Sequence, residues 1–283
     1  MPTAMIDGIA TRFDVTGTGP ALLMYSPGGF DARLENWSDL GIYRSTGVLS
    51  ALADAYTCIR FDRRESGLSG GRVERLTWSS YATQGLGLLD HLGIERAFLM
   101  GGCVGCSSVL ALAVAHPDRV RGMVLYWPAG GPRYRMAQHA RFAQHAAYVR
   151  EHGTAAVVDL VCSHDRSFTQ DPRVGPWVSV IRRDPAFAAA YAQRDPAGYG
   201  LMLTAMARTL FDRDTVPGVE PEDLMLLDVP ALVVPGEDTS HAPSAARYLQ
   251  ECLPRADFWD MPVAGQDAET APQRVLTFLA GQR

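Results

Sequence analysis

Short, largely apolar runs rich in β-branched and aromatic residues recur along the chain at 21–25, 56–61, 97–100, 123–127, 231–234 and 258–261. Runs of that length without polar alternation predict strands buried on both faces. Between several of them apolar residues repeat at three and four, predicting helices over 81–92, 107–115 and 244–253. Strands alternating with helices specify an α/β fold, a mostly parallel central sheet flanked by helices. A further run at 9–15 predicts an added antiparallel strand, joined to the next by the turn Thr16-Gly17-Thr18-Gly19. The alternation breaks between Gly130 and Asp228, where helical stretches rich in Ala, Arg, His and Met run on without a strand. Pro128, Gly130, Gly131 and Pro132 punctuate the entry to this segment, and Pro217, Gly218 and Pro221 its exit. The pattern predicts a core of residues 1–129 and 229–283 carrying an inserted helical cap, 130–228. The plainer alternative is ordinary surface helices that leave a pocket open.

Composition narrows the function. At 283 residues, with 47% hydrophobic and 20% charged residues and a formal net charge of -5, the chain suits one large domain and offers no general attraction to nucleic acid. No window approaches the roughly 18 apolar residues of a membrane span, and the first ten residues lack a basic stretch followed by an apolar one. The expectation is a cytoplasmic protein acting on a small molecule, without nucleic-acid or membrane partners; oligomeric state is not encoded legibly. The cysteines at 58, 103, 106, 162 and 252 are odd in number, which argues for reduced thiols rather than a disulfide framework.

One short segment carries chemistry. The strand at 97–100 runs into Gly101-Gly102-Cys103-Val104-Gly105, and a helical pattern begins at once. Strand, Gly-x-Cys-x-Gly, helix is the context of a nucleophile elbow, where small residues flank a strained turn. Three further segments share the order of a known family. Tyr25-Ser26-Pro27-Gly28-Gly29-Phe30 follows the first buried strand; Phe61-Asp62-Arg63-Arg64-Glu65-Ser66-Gly67-Leu68-Ser69 follows the second, with Glu65 where a glycine is usual; Val233-Val234-Pro235-Gly236-Glu237-Asp238 closes another. With these four motifs the chain resembles the α/β-hydrolase superfamily along nearly its whole length. The resemblance implies a nucleophile at Cys103, an acid at Asp238, and an oxyanion hole from the backbone of Val104 with Gly29 or Phe30. It also implies a histidine after the last strand, where this chain has Gln266, and no histidine follows His241.

Glutamine is no base, but a cysteine, with an intrinsic pKa near 8.5, needs a base less than serine does. His241, three residues after Asp238, admits two readings: a base for Cys103 held by Asp238, or a helix cap facing solvent. His139, His145, His152 and His164 are weaker candidates, and His91 and His116 read as structural. Cys103-x-x-Cys106 has redox-like spacing in the wrong context, and no ligand set for zinc is complete, so neither metal nor cofactor is expected. Trp177 and Phe142, with Tyr134 and Tyr148, suggest an apolar or aromatic substrate body, while Arg133, Arg135 or Arg141 could meet a carboxylate as well as face water. The resulting expectation is a cysteine-dependent hydrolase of an ester, thioester or lactone, forming an acyl-Cys103 intermediate. The alternatives are a non-catalytic binding protein on the same scaffold, or a lyase or transferase.

Overall fold

The computed structural model describes residues 1–282. Eight strands form one sheet: β1 (Thr3–Ile6), β2 (Ile9–Thr16), β3 (Ala21–Tyr25), β4 (Thr57–Phe61), β5 (Ala97–Gly102), β6 (Val120–Tyr126), β7 (Ala231–Val234) and β8 (Ala256–Phe258). They lie in the order β1-β2-β4-β3-β5-β6-β7-β8. β2 runs antiparallel to β1 and β4, and β3 to β8 are parallel throughout. The mostly parallel sheet expected from the apolar runs is therefore present.

Side chains alternate across the sheet and build two cores. On one face Leu23, Leu99, Met123, Leu125 and Val233 pack against residues of the helices Trp78–His91, Gly105–Ala115 and Pro243–Cys252. On the other, Leu22, Met24, Phe98, Met100, Val124 and Leu232 meet the helices Val48–Ala53 and Thr270–Ala280. A third cluster gathers Phe142, Val149, Phe168, Trp177, Tyr191, Tyr199 and Leu203 from the helices between β6 and β7, with Phe30 and Val104 at its base. The longest of these helices, Pro132–Ser163, breaks at Gly153, whose φ of 80° and ψ of 170° no helix accommodates. No helix among the described residues is long and apolar enough to cross a membrane.

Several strand boundaries differ from expectation, three of them near the site. The strand expected over 258–261 lies at Ala256–Phe258, and Trp259 to Met261 leave the sheet after one more bond, Trp259 N–H to the Val233 carbonyl at 3.0 Å. Those apolar residues support a loop rather than the edge of the sheet. Trp127, expected at the end of a strand, has φ 52° and lies beyond β6. β5 continues two residues further than the apolar run, through Gly101 and Gly102, because paired backbone needs no side chain. β1 and the short helices Asn36–Asp39, Gly41–Thr46 and Val48–Ala53 have no counterpart in the periodicity.

Two glycines provide a contrast in packing. A Cβ on Gly105 would lie 2.2 Å from the Tyr25 carbonyl oxygen, an immovable backbone atom, whereas one on Gly200, in the helix Pro196–Leu210, would meet nothing within 4 Å. Gly105→Ala is expected to cost about 2–3 kcal/mol by overpacking. Gly200→Ala is expected to gain about 0.5–1 kcal/mol from helix propensity. Urea unfolding of both variants checks the pair.

Candidate active site

β5 ends and the helix Gly105–Ala115 begins within two residues, so the connecting Cys103 must turn the chain sharply. It does so with φ 55°, the left-handed region that costs a residue bearing a Cβ about 1–3 kcal/mol. Three backbone bonds hold it there: its N–H donates to the Tyr126 carbonyl at 3.1 Å, and its carbonyl accepts from Cys106 N–H and Ala129 N–H, both at 3.2 Å. A Cβ on Gly101 would sit 2.6 Å from the Cys106 nitrogen, so this crossing of strand and helix tolerates no side chain there. The sulfur reaches a cavity of about 1120 Å³ bordered by Gly28, Gly29, Trp127, Tyr134, Asp238 and His241.

His241 belongs to the loop between β7 and the helix Pro243–Cys252. Asp238 organises that loop: its Oδ1 accepts from the N–H groups of Ser240 at 2.7 Å and His241 at 3.0 Å. The same carboxylate takes the His241 ring nitrogen, with Nδ1 at 2.8 Å from Oδ1 and 2.9 Å from Oδ2. A carboxylate only accepts, so Nδ1 is the protonated nitrogen. Gly130 clamps the loop from the other side, its N–H donating to the Ser240 carbonyl at 2.9 Å in a parallel bridge with His241. The Trp127 ring lies 5.4 Å from the imidazole at 54°, and a Cβ on Gly236 would collide with both His241 and Trp127.

Nε2 of His241 is buried and makes no aligned hydrogen bond among the described residues. Cys103 borders the same cavity, near enough for the two side chains to influence each other's charge. A loose contact of this kind is ordinary for a site without substrate, where such bonds often tighten only on binding. Burial works against a thiolate at Cys103, but the nearby His241 and the backbone amides at the elbow outweigh it, and the pKa falls below the usual thiol value. Burial likewise disfavours the imidazolium, yet Cys103 and then Asp238 raise His241 to about 9. Each shift has the other group among its causes, so the two belong to the Cys103–His241 pair rather than to either residue alone.

Gln266 occupies the turn after β8. Its Oε1 accepts from Trp127 Nε1 at 2.7 Å, and its Nε2 donates to the carbonyls of Pro235 at 2.8 Å and Met261 at 3.1 Å. The side chain is buried and joins the ends of β6, β7 and β8, fixing the indole that lies against His241.

Several expected site residues lie elsewhere. Of the glycine loop expected to supply half of the oxyanion hole, Gly29 borders the cavity together with Gly28 and Val104. Gly28 has φ 118°, and a Cβ there would sit 2.3 Å from Asn36 Nδ2, so only glycine brings this backbone so close. Phe30 is buried against Phe142 and Phe168, at 5.4 and 5.5 Å. Trp177 is fully buried, donating its indole N–H to the Arg72 carbonyl at 3.0 Å; Phe142 is buried in the same cluster, and Arg133 is exposed. None of these three borders the cavity, because aromatic content signals burial as readily as a binding surface. Tyr134, Gln138 and Arg141 of the same helix border it instead. His145 is buried between the Arg173 carbonyl and the Tyr199 hydroxyl, both at 2.9 Å, and His139 contacts the Phe211 carbonyl at 2.9 Å. Cys106 is buried, its thiol donating to the Gly101 carbonyl at 3.1 Å. Glu65 takes φ 67° at the position where glycine is usual, buried beside Arg64 at 2.9 Å.

Residues 23–148 match the alpha/beta hydrolase fold family. Among curated proteins the chain is 28% identical to "Putative carbamate hydrolase RutD" of Caulobacter sp. (strain K31), over 83% of this chain and 84% of that protein. It is 31% identical to a 2-hydroxymuconate semialdehyde hydrolase of Pseudomonas putida, but over only 44% of this chain and 41% of that protein. Among solved structures, the enol-lactonase from Burkholderia xenovorans LB400 superposes with a TM-score of 0.63 at 22% identity, covering 99% of this chain and 100% of that one. Sheet order, elbow and these likenesses agree: the protein has the α/β-hydrolase fold.

Proposed function

We propose that the protein is a hydrolase that cleaves an ester, thioester or lactone through an acyl-Cys103 intermediate, with His241 as its base and acid and Asp238 as the group that orients and charges the imidazole. The observation that carries this reading is a sulfur at a left-handed elbow residue, beside an imidazole whose far nitrogen is held by a carboxylate at 2.8 Å. Hydrolases among the similar proteins support the reaction class. The helices of 130–228 act as a cap over the core formed by 1–129 and 229–283, and the free cysteines suit a reducing cytoplasm.

In this mechanism the Cys103 thiolate attacks the acyl carbon, and the N–H groups of Val104 and Gly28 receive the developing oxyanion. The C–S bond forms, the bond to the leaving group breaks, and the leaving oxygen or sulfur takes the Nε2 proton of His241. Neutral His241 then removes a proton from water, which attacks the thioester; the C–S bond breaks and the acid departs. His241 thereby supplies the water activation that Gln266 cannot.

The first expectation concerns alkylation of Cys103 by iodoacetamide as a function of pH. Thiolate grows with pH, and the wild-type inflection should lie below the ordinary value of about 8.5. His241→Ala should move that inflection to higher pH and slow labelling near neutrality, by about tenfold if the inflection rises by about one pH unit. An unchanged profile would mean that His241 does not serve the sulfur.

A second expectation separates the roles by turnover and intact mass on a panel of activated esters, lactones and thioesters. Cys103→Ala should be inactive. Asp238→Asn should lose about 10²–10⁴-fold in kcat. His241→Ala should accumulate an acyl adduct on Cys103. Ligand binding without turnover or adduct in the wild type would replace the hydrolase with a binding protein.

A further inference from the structure

Tyr134, Gln138 and Arg141 are spaced at four and three residues along the helix Pro132–Ser163, so they share one face, and all three border the cavity over Cys103. Arg141 is the unusual member. Its hydrogen bond is to a neutral group, Nη1 to Gln138 Oε1 at 2.6 Å, and its guanidinium lies 5.8 Å from the centre of the Phe168 ring. Among the described residues no carboxylate comes within salt-bridge distance of it.

The other arginines of the cavity are already satisfied. Arg12 pairs with Asp62 at 3.1 Å and with Glu35, Arg33 with Asp31 at 3.2 Å, and Arg182 with Asp165 at 3.9 Å. Arg183 donates to the carbonyls of Ser179 at 3.0 Å and Ser69 at 2.7 Å. Among the three arginines that the sequence offered for a carboxylate, Arg133 is exposed and Arg135 meets Asp214 at 3.2 Å, leaving Arg141.

A second cation approaches from the opposite side of the elbow. A water-sized side lobe of about 10 Å³ shares Gly29, Val104, Tyr134 and Gln138 with the main cavity and is closed by Arg63, Trp78 and Tyr81. Arg63 is only 6% exposed, and its Nε, the Trp78 Nε1 and the Tyr81 hydroxyl are buried without hydrogen-bond partners among the described residues. No acidic residue among those described borders the lobe. Arg141 and Cys103 border the same cavity, and Arg63 borders the adjoining lobe across Tyr134 and Val104. Arg63 donates to the Gly29 carbonyl and lies over the Tyr81 ring, and Arg141 is partly exposed, but neither has a carboxylate within salt-bridge distance among the described residues, so each can still receive an anion.

We infer that the substrate carries a carboxylate, seated on Arg141 while its scissile carbonyl lies over Cys103, with Arg63 adding positive charge behind Tyr134. The inference rests on the hydrolase reading for its catalytic half only; the anion site stands on the unpaired arginine and the cavity.

The test reads binding without turnover. Glutarate should protect Cys103 from iodoacetamide in the wild type, and neutral glutaramide should not. Arg141→Gln should weaken glutarate protection by about 10- to 100-fold. Arg141→Lys should retain part of it, and both variants should unfold at the wild-type temperature. In parallel, a phenyl ester with a free terminal carboxylate should exceed its methyl-capped analogue in kcat/KM, through KM, and Arg141→Gln should erase that preference. Protection without turnover of either ester would retain the anion site and remove the hydrolase. Turnover of both esters at equal kcat/KM, with no protection by glutarate, would retain the hydrolase and overturn the carboxylate.

Discussion

The site depends on a single constraint: Cys103 must remain in a left-handed conformation at the point where β5 passes into its helix. That conformation lifts the sulfur out of the sheet at the carboxyl ends of the strands, with the first N–H groups of the helix behind it. Nothing local favours it, so the surroundings must impose it. The absent side chains of Gly101 and Gly105 let helix and sheet close to backbone contact, and the hydrogen bonds from Cys106, Ala129 and to Tyr126 fix the peptide on both sides. Trp127, at the end of the neighbouring strand, also has φ above zero, as does Glu65 in the loop after β4. Strain therefore gathers along one edge of the sheet, while the fully buried strands behind it supply the rigidity that maintains it.

Charge at this edge is arranged by opposition. Burial alone would neutralise both Cys103 and His241, because low dielectric penalises either ion. Their proximity reverses the outcome, and Asp238 biases the imidazole further toward the cation. Gln266 contributes no charge; it sets the position of Trp127, and the indole in turn limits where the imidazole can lie.

The sheet was legible because strand and helix periods leave distinct apolar patterns, and the elbow because a glycine on each side of a nucleophile answers a steric demand. Local chemistry that depends on distant partners was less legible. Gln266 reads in the chain as a missing base, and only the meeting of Trp127, Pro235 and Met261 around it reveals a structural joint. Trp177 and Phe142 were chosen by aromatic type, whereas the spacing of Tyr134, Gln138 and Arg141 was available as a signal for the face that borders the cavity. The three short helices between β3 and β4 are each of six residues or fewer, shorter than the window in which a 3.6-residue period can register.

Drawing Asp238 and His241 from one four-residue turn has a modular consequence. When base and acid come from separate loops, their alignment is sensitive to any drift of one strand end against another. Here the pair is a self-contained cassette whose internal geometry is set by the Asp238 bonds to the Ser240 and His241 amides. Under the proposed mechanism the segment beyond β8 would need only to present a neutral bracket for Trp127, so its length and sequence would be freed from the demands of proton transfer and open to change that would disable a conventional relay.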